Sequence, residues 1–66
     1  MSEIDPECLR KDILDTVRLL GGAPAIAIAA RSGYQVVHTS TALADLEKAG
    51  LVVRLGGPRT AKWVVR

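Results

Sequence analysis

The chain has no phenylalanine, and it contains one residue each of tryptophan, tyrosine, histidine, cysteine and methionine. A core built without phenylalanine must be aliphatic. A single cysteine, Cys8, forms neither an internal disulfide nor a thiolate metal cluster. A single histidine, His38, has no serine, cysteine or carboxylate arranged beside it for nucleophilic catalysis, and no metal-ligand spacing surrounds it. Phosphate-binding loops and dinucleotide fingerprints are absent, so the pattern predicts neither an enzyme nor a cofactor or small-molecule ligand. No apolar run approaches the ~18 residues of a membrane span. No secretory signal pattern opens the chain, and the expected location is cytoplasmic. Linker-like Pro/Ser/Gly tracts and internal repeats are also missing. At 66 residues the expectation is one domain over 1–66 with a narrow stability margin.

What is present is apolar and unevenly charged. Nearly half the residues (48%) are hydrophobic, which suffices for a packed core, and the formal net charge is +2. That small value hides a gradient. Residues 1–20 carry five acids (Glu3, Asp5, Glu7, Asp12, Asp15) against three bases (Arg10, Lys11, Arg18). Residues 21–66 carry two acids (Asp45, Glu47) against six bases. Four of those bases, Arg54, Arg59, Lys62 and Arg66, fall in a C-terminal stretch without acids. The second part of the chain is thus polarised toward an anionic partner, and the first part away from one.

The organising stretch runs from Pro24 to Leu51, PAIAIAARSGYQVVHTSTALADLEKAGL. Pro24 suits the first position of a helix, where no amide donor is lost. The alternation AIAIA also fits a strand, but its alanines favour a helix over about 24–31. Ser32-Gly33 ends it, since glycine reaches the positive φ that a sharp helix–helix turn requires. Ala29 is small enough for a second helix to approach. Tyr34 follows the turn with its ring expected in the core and its hydroxyl at the edge. A second helix is predicted over about 36–49, with Val36, Thr39, Leu43 and Leu46 on a buried face and Ala42 beside them. Gly50 closes it and Leu51 packs back. Its other face carries Val37, His38, Thr41, Ala44, Asp45 and Lys48, with Ser40 and Glu47 on the shoulder. Short side chains of this kind permit close approach to base edges in a major groove.

Upstream, Asp5-Pro6-Glu7 is a helix start: an N-cap, a proline for the first turn and an acid at the positive dipole end. Leu9, Ile13, Val17 and Leu20 form the expected buried stripe of a helix over 6–20, ended by Gly21-Gly22. Leu14 and Leu19 lie off this stripe, to cover the neighbouring helix or, less favoured, to form a dimer surface. Met1 to Ile4 reads as a loose tail. Cys8 reads as a small, partly buried residue rather than a reactive thiol. Downstream, residues 51–55 and 61–66 alternate around a Gly56-Gly57-Pro58 turn, the pattern of an antiparallel hairpin. Trp63 is expected to anchor that hairpin on the core in preference to stacking on a base.

The run IAARSGYQVVHTSTALADLEKAGLV resembles the helix-turn-helix of winged-helix transcriptional regulators, in particular repressors of the multiple-antibiotic-resistance and arsenic-responsive kind. Ala29, Gly33, Leu43, Leu46 and the ending LEKAGLV (Leu46 to Val52) carry the likeness, which with the hairpin spans roughly the last two-thirds of the chain. It implies an α+β winged helix-turn-helix: three helices followed by a two-stranded wing. It further implies a sequence-specific DNA-binding regulator, a repressor of prokaryotic or phage type located at the nucleoid. Three positions depart from the family pattern. Ser32 replaces an apolar residue, Thr39 replaces Val or Ile, and the recognition helix has no arginine. In this reading Gln35, Val37, His38, Ser40 and Thr41 lie near base edges of double-stranded DNA. Arg31 and Lys48 contact phosphates. The wing supplies Arg54, Arg59 and Lys62, with Arg59 foremost at the tip. A homodimer or a protein partner would raise affinity.

Two further readings compete. The first is a winged helix used for protein–protein contact, like the small protein of bacterial ferrous-iron transport, although this chain lacks that family's wing cysteines. The second rests on the proline-containing wing followed by tryptophan, which resembles the Z-DNA-binding domains of RNA-editing adenosine deaminases. Ala44 stands near the position where those domains place a tyrosine, and the Pro58–Trp63 spacing is longer than theirs, so this reading is set aside.

Overall fold

The computed structural model describes residues 5–57 and 61–66. Three helices, α1 (Pro6–Leu20), α2 (Ala25–Ser32) and α3 (Val36–Lys48), precede two strands, β1 (Val52–Leu55) and β2 (Lys62–Val65). The tail Met1 to Ile4 and the expected wing tip around Pro58 and Arg59 lie outside the described residues.

Each helix starts and stops for local reasons. Asp5 caps α1 by accepting a hydrogen bond from the Glu7 amide at 2.9 Å, with Pro6 in the first turn. Pro24 flanks α2 as its cap residue rather than lying inside it. Gly33 ends α2 at φ +86°, and its amide returns to the Ala29 carbonyl at 2.9 Å. A side chain at Gly33 would meet nothing within 4 Å, so the backbone angle alone demands glycine there. Beyond α3, the Leu51 amide reaches the Leu46 carbonyl and the Gly50 amide reaches Glu47, closing the helix in a Schellman motif.

The core is aliphatic. Leu9, Ile13 and Val17 of α1 meet Ile28 of α2 and Ala42, Leu43 and Leu46 of α3, with Ala23 and Val52 completing the cluster. Three residues expected to pack inward do not, one of them Leu51, which is 46% exposed beyond the end of α3. Leu20 is 38% exposed, because the chain turns away at Gly21 and the next buried position is Ala23. Val36 is 47% exposed. It lies on the same side of α3 as Leu43, but in the first turn, whereas the buried part of that helix begins at Thr39. Leu14 packs partly against the core, whereas Leu19 is exposed. Cys8, expected to be partly buried, is exposed.

The hairpin is antiparallel, pairing Val52 with Val65, Val53 with Val64, Arg54 with Trp63 and Leu55 with Lys62. Opposed residues share a face. Val52, Trp63 and Val65 pack against the helices, and Val53, Leu55, Lys62 and Val64 form the other face. The α1–α2 connection joins this sheet through one residue. The Ala23 amide donates to the Trp63 carbonyl at 3.2 Å, and the Trp63 amide returns to Ala23 at 2.8 Å. Gly22 is the constraint at that junction. Its φ is +118°, and a Cβ there would stand 2.8 Å from a Val64 methyl.

Polar groups near the core are handled unequally. Ser32 Oγ donates to the Ala29 carbonyl at 3.3 Å and accepts from the Tyr34 amide at 3.5 Å. Tyr34 packs its ring against the core and donates its hydroxyl to Asp12 at 2.6 Å. Thr39 is fully buried, and its hydroxyl finds no partner among the described residues. Leaving a buried hydroxyl unpaired costs on the order of 1–3 kcal/mol.

Three outcomes follow from these contacts. Thr39→Val should stabilise the protein by ~1 kcal/mol, raising Tm by about 4–8 °C in circular-dichroism melts. Gly22→Ala should lower stability, read as a reduced urea midpoint at unchanged slope. The hydrogen bond to Asp12 raises the Tyr34 pKa above 10.0, with burial and the Asp12 charge adding to it. The folded state thus holds the phenol proton more tightly than the unfolded chain. That stabilisation is complete below pH 10.0 and is lost as pH rises through the folded pKa. An absorbance titration of the sole tyrosine should show Asp12→Asn moving the transition back toward the ordinary value.

Candidate nucleic-acid interface

With Thr39, Ala42, Leu43 and Leu46 turned inward, α3 exposes Val37, Ser40, Thr41, Ala44 and Lys48 on its opposite side. Val37, Thr41, Ala44 and Lys48 follow one line along the helix at spacings of four, three and four. All charge on α3 sits in its second half, at Asp45, Glu47 and Lys48. The stretch from Val36 to Ala44 contains no acid, lysine or arginine. Gln35 is exposed and occupies the N-cap position without a side-chain capping bond.

The expected contact residues divide into three groups. Gln35, Val37, Ser40, Thr41 and Lys48 are exposed and share α3. Thr41 is partly committed, since its hydroxyl donates to the Val37 carbonyl at 3.0 Å. His38 is half-buried and lies on the flank shared with Asp45 rather than on the outer line. Asp45 stands 3.8 Å from Arg10 of α1, a long and exposed ion pair that adds little stability but marks that flank as facing α1. Arg31 is exposed in the last turn of α2.

In the hairpin, Arg54 and Lys62 are both exposed but belong to opposite faces. Arg54 is on the face of Trp63, and Lys62 is on the outer face with Leu55. Trp63 is half-buried, packs on the core and is tied through its backbone to Ala23, which is the anchoring role expected of it. Arg59 lies outside the described residues.

Among the exposed apolar residues that sequence reasoning missed, two lie on the helix-turn-helix. Val36 extends the α3 surface beside Val37, and Ile26 in the first turn of α2 is 68% exposed. Helical periodicity gave no warning for Val36, because it repeats with Leu43; only the length of the core decides its exposure. Among the described residues no cluster of His, Cys, Asp and Glu can hold a metal, and no helix is long and apolar enough to cross a membrane.

The order of helices and the hairpin can now be set against known proteins. The Zalpha domain of Carassius auratus PKZ, solved in complex with Z-DNA, is similar in structure, with a TM-score of 0.85 over 92% of this chain and 97% of that one. The fold is a winged helix. Sequence identity to that domain is 20%, so the likeness is one of fold. No family model and no curated protein matches the chain. In winged-helix terms, α2 and α3 form the helix-turn-helix, β1 and β2 the wing, and Ala23 the edge that joins the wing to the helices.

Trp63 therefore carries the attachment of the wing. Trp63→Ala should destabilise the protein by ~3 kcal/mol, the lower end for a large aromatic because the ring is only half-buried. Denaturant unfolding would measure it, and Trp63→Phe should recover part of the loss.

Proposed function

We propose that this chain binds double-stranded DNA and acts as a small transcriptional regulator. The observation that carries the proposal is the exposed outer line of α3, which has no acid before Asp45, on a chain whose Arg31, Lys48, Arg54 and Lys62 are also exposed. An α-helix fits the major groove, and short side chains bring its axis close to the base edges. Gln35, Val37, Ser40 and Thr41 then face the bases. Lys48 and Arg31 contact phosphates, and Lys62 lies along the flanking backbone or minor groove. His38, being half-buried, contributes less than its position in the sequence suggested. The resemblance of the helix-turn-helix to bacterial repressors supports a regulatory role in the cytoplasm, at the nucleoid. A single module of this size covers a small interface, so dimerisation or tandem sites would supply further affinity.

The structural neighbour was solved on Z-DNA, which raises the left-handed duplex as a target here. Ala44, exposed on the outer line of α3, stands where the Z-DNA-binding domains place a tyrosine. The reading preferred is therefore B-form DNA. A surface for protein–protein contact is the competing function, favoured by the absence of arginine from α3.

Fluorescence anisotropy at several salt concentrations tests the proposal, using a mixed-sequence duplex and an alternating CG duplex held in the Z form. Binding to the mixed-sequence duplex should weaken steeply with salt. Lys48→Ala/Lys62→Ala should bind more weakly, with the log–log slope reduced by about 2, one for each lost phosphate contact. Preference for the Z-form duplex would replace the B-form reading. Absence of binding to either duplex at low salt, with the protein folded, would overturn DNA binding and favour a protein partner.

A further inference from the structure

We infer that Val36 and Val37 read the C5-methyl group of a pyrimidine in the major groove. The inference rests on the DNA-binding reading above and names what that surface recognises. The two valines are 47% and 63% exposed in the first turn of α3. Both are β-branched, so in a helix their rotamers are restricted before any partner arrives, and little freedom is lost on contact. Hydrogen-bonding capacity beside them is limited. Thr41 has its hydroxyl proton engaged by the Val37 carbonyl at 3.0 Å, Ala44 has none to offer, His38 is half-buried, and Ser40 and Gln35 remain. A surface so composed discriminates base pairs mainly by apolar contact. The pyrimidine methyl is the apolar feature of a base-pair edge in the major groove.

Charge complementarity selects DNA as the occupant over a second apolar surface. No acid lies on α3 before Asp45, and Arg31 and Lys48 stand exposed at the ends of α2 and α3. Lys62 stands exposed on the outer face of the wing. An apolar protein interface does not require exposed cations or the absence of acids from the apolar end of α3, whereas phosphates flanking a groove favour both.

The test begins with the duplex that the full chain enriches most from a random pool. Each thymine is then replaced by deoxyuridine, which removes the methyl and leaves every hydrogen-bonding group unchanged. Affinity should fall by about fourfold for each methyl contacted, the worth of one buried carbon. Val36→Ala/Val37→Ala should bind thymine and uracil duplexes equally while keeping the salt dependence of the wild type. Val37→Thr, which keeps one methyl and the β-branch, should retain part of the preference. Replacing the sensitive T·A pair by 5-methylcytosine·G separates the two sources of the methyl: restored affinity assigns the contact to the methyl in either base, and continued loss assigns it to thymine. Salt-dependent binding with equal affinity for thymine and uracil duplexes would overturn this inference and leave DNA binding standing. Absence of binding to any duplex would overturn both.

Discussion

Every feature of the proposed interface depends on the burial of one side of α3. Thr39, Ala42, Leu43 and Leu46 are 3% exposed or less, and they are held by Ile13 and Val17 of α1 and Ile28 of α2. A helix packed this closely cannot rotate about its axis without exposing Leu43 or burying Lys48. Interiors near crystal density transmit that restriction to every side chain on the outer line. The aliphatic composition matters here, since a core without phenylalanine is filled by many small contacts, not by one large ring.

The wing is attached to the same core by different means. Val52 is buried and Trp63 and Val65 pack against the helices, but a two-stranded hairpin alone is marginal. The pair of hydrogen bonds between Ala23 and Trp63 adds a third backbone to β2. That bridge in turn requires the positive φ and bare Cα of Gly22 beside Val64. The short α1–α2 connection is therefore a structural element of the sheet as well as a turn between helices.

The three departures from the repressor pattern have different consequences in the fold. Ser32 is accommodated, because its hydroxyl both donates and accepts within the α2–α3 turn. Thr39 is tolerated at a cost, its hydroxyl buried without a partner among the described residues. The missing arginine alters chemistry instead of stability. It leaves α3 without a cation before Lys48, and so without the bidentate guanine donor that an arginine would offer a DNA ligand.

By itself the sequence determined the winged-helix order of elements, the glycine turn at Gly33, the cap at Asp5 and most of the aliphatic core. These features depend on local geometry and on periodicities of 3.6 and 2 residues, which composition at short range expresses directly. The exposed positions of Gln35, Val37, Ser40, Thr41 and Lys48 were legible for the same reason. The tertiary structure alone decided the others. It exposed Val36 and Leu20, because the periodic pattern says which side of a helix is apolar but not where the core ends. It half-buried His38, which the helical period had set on the exposed side of α3. It placed Arg54 and Lys62 on opposite faces of the wing and set Ala23 against Trp63. Pairing between residues so far apart along the chain is specified by packing, and no local pattern in the sequence encodes it.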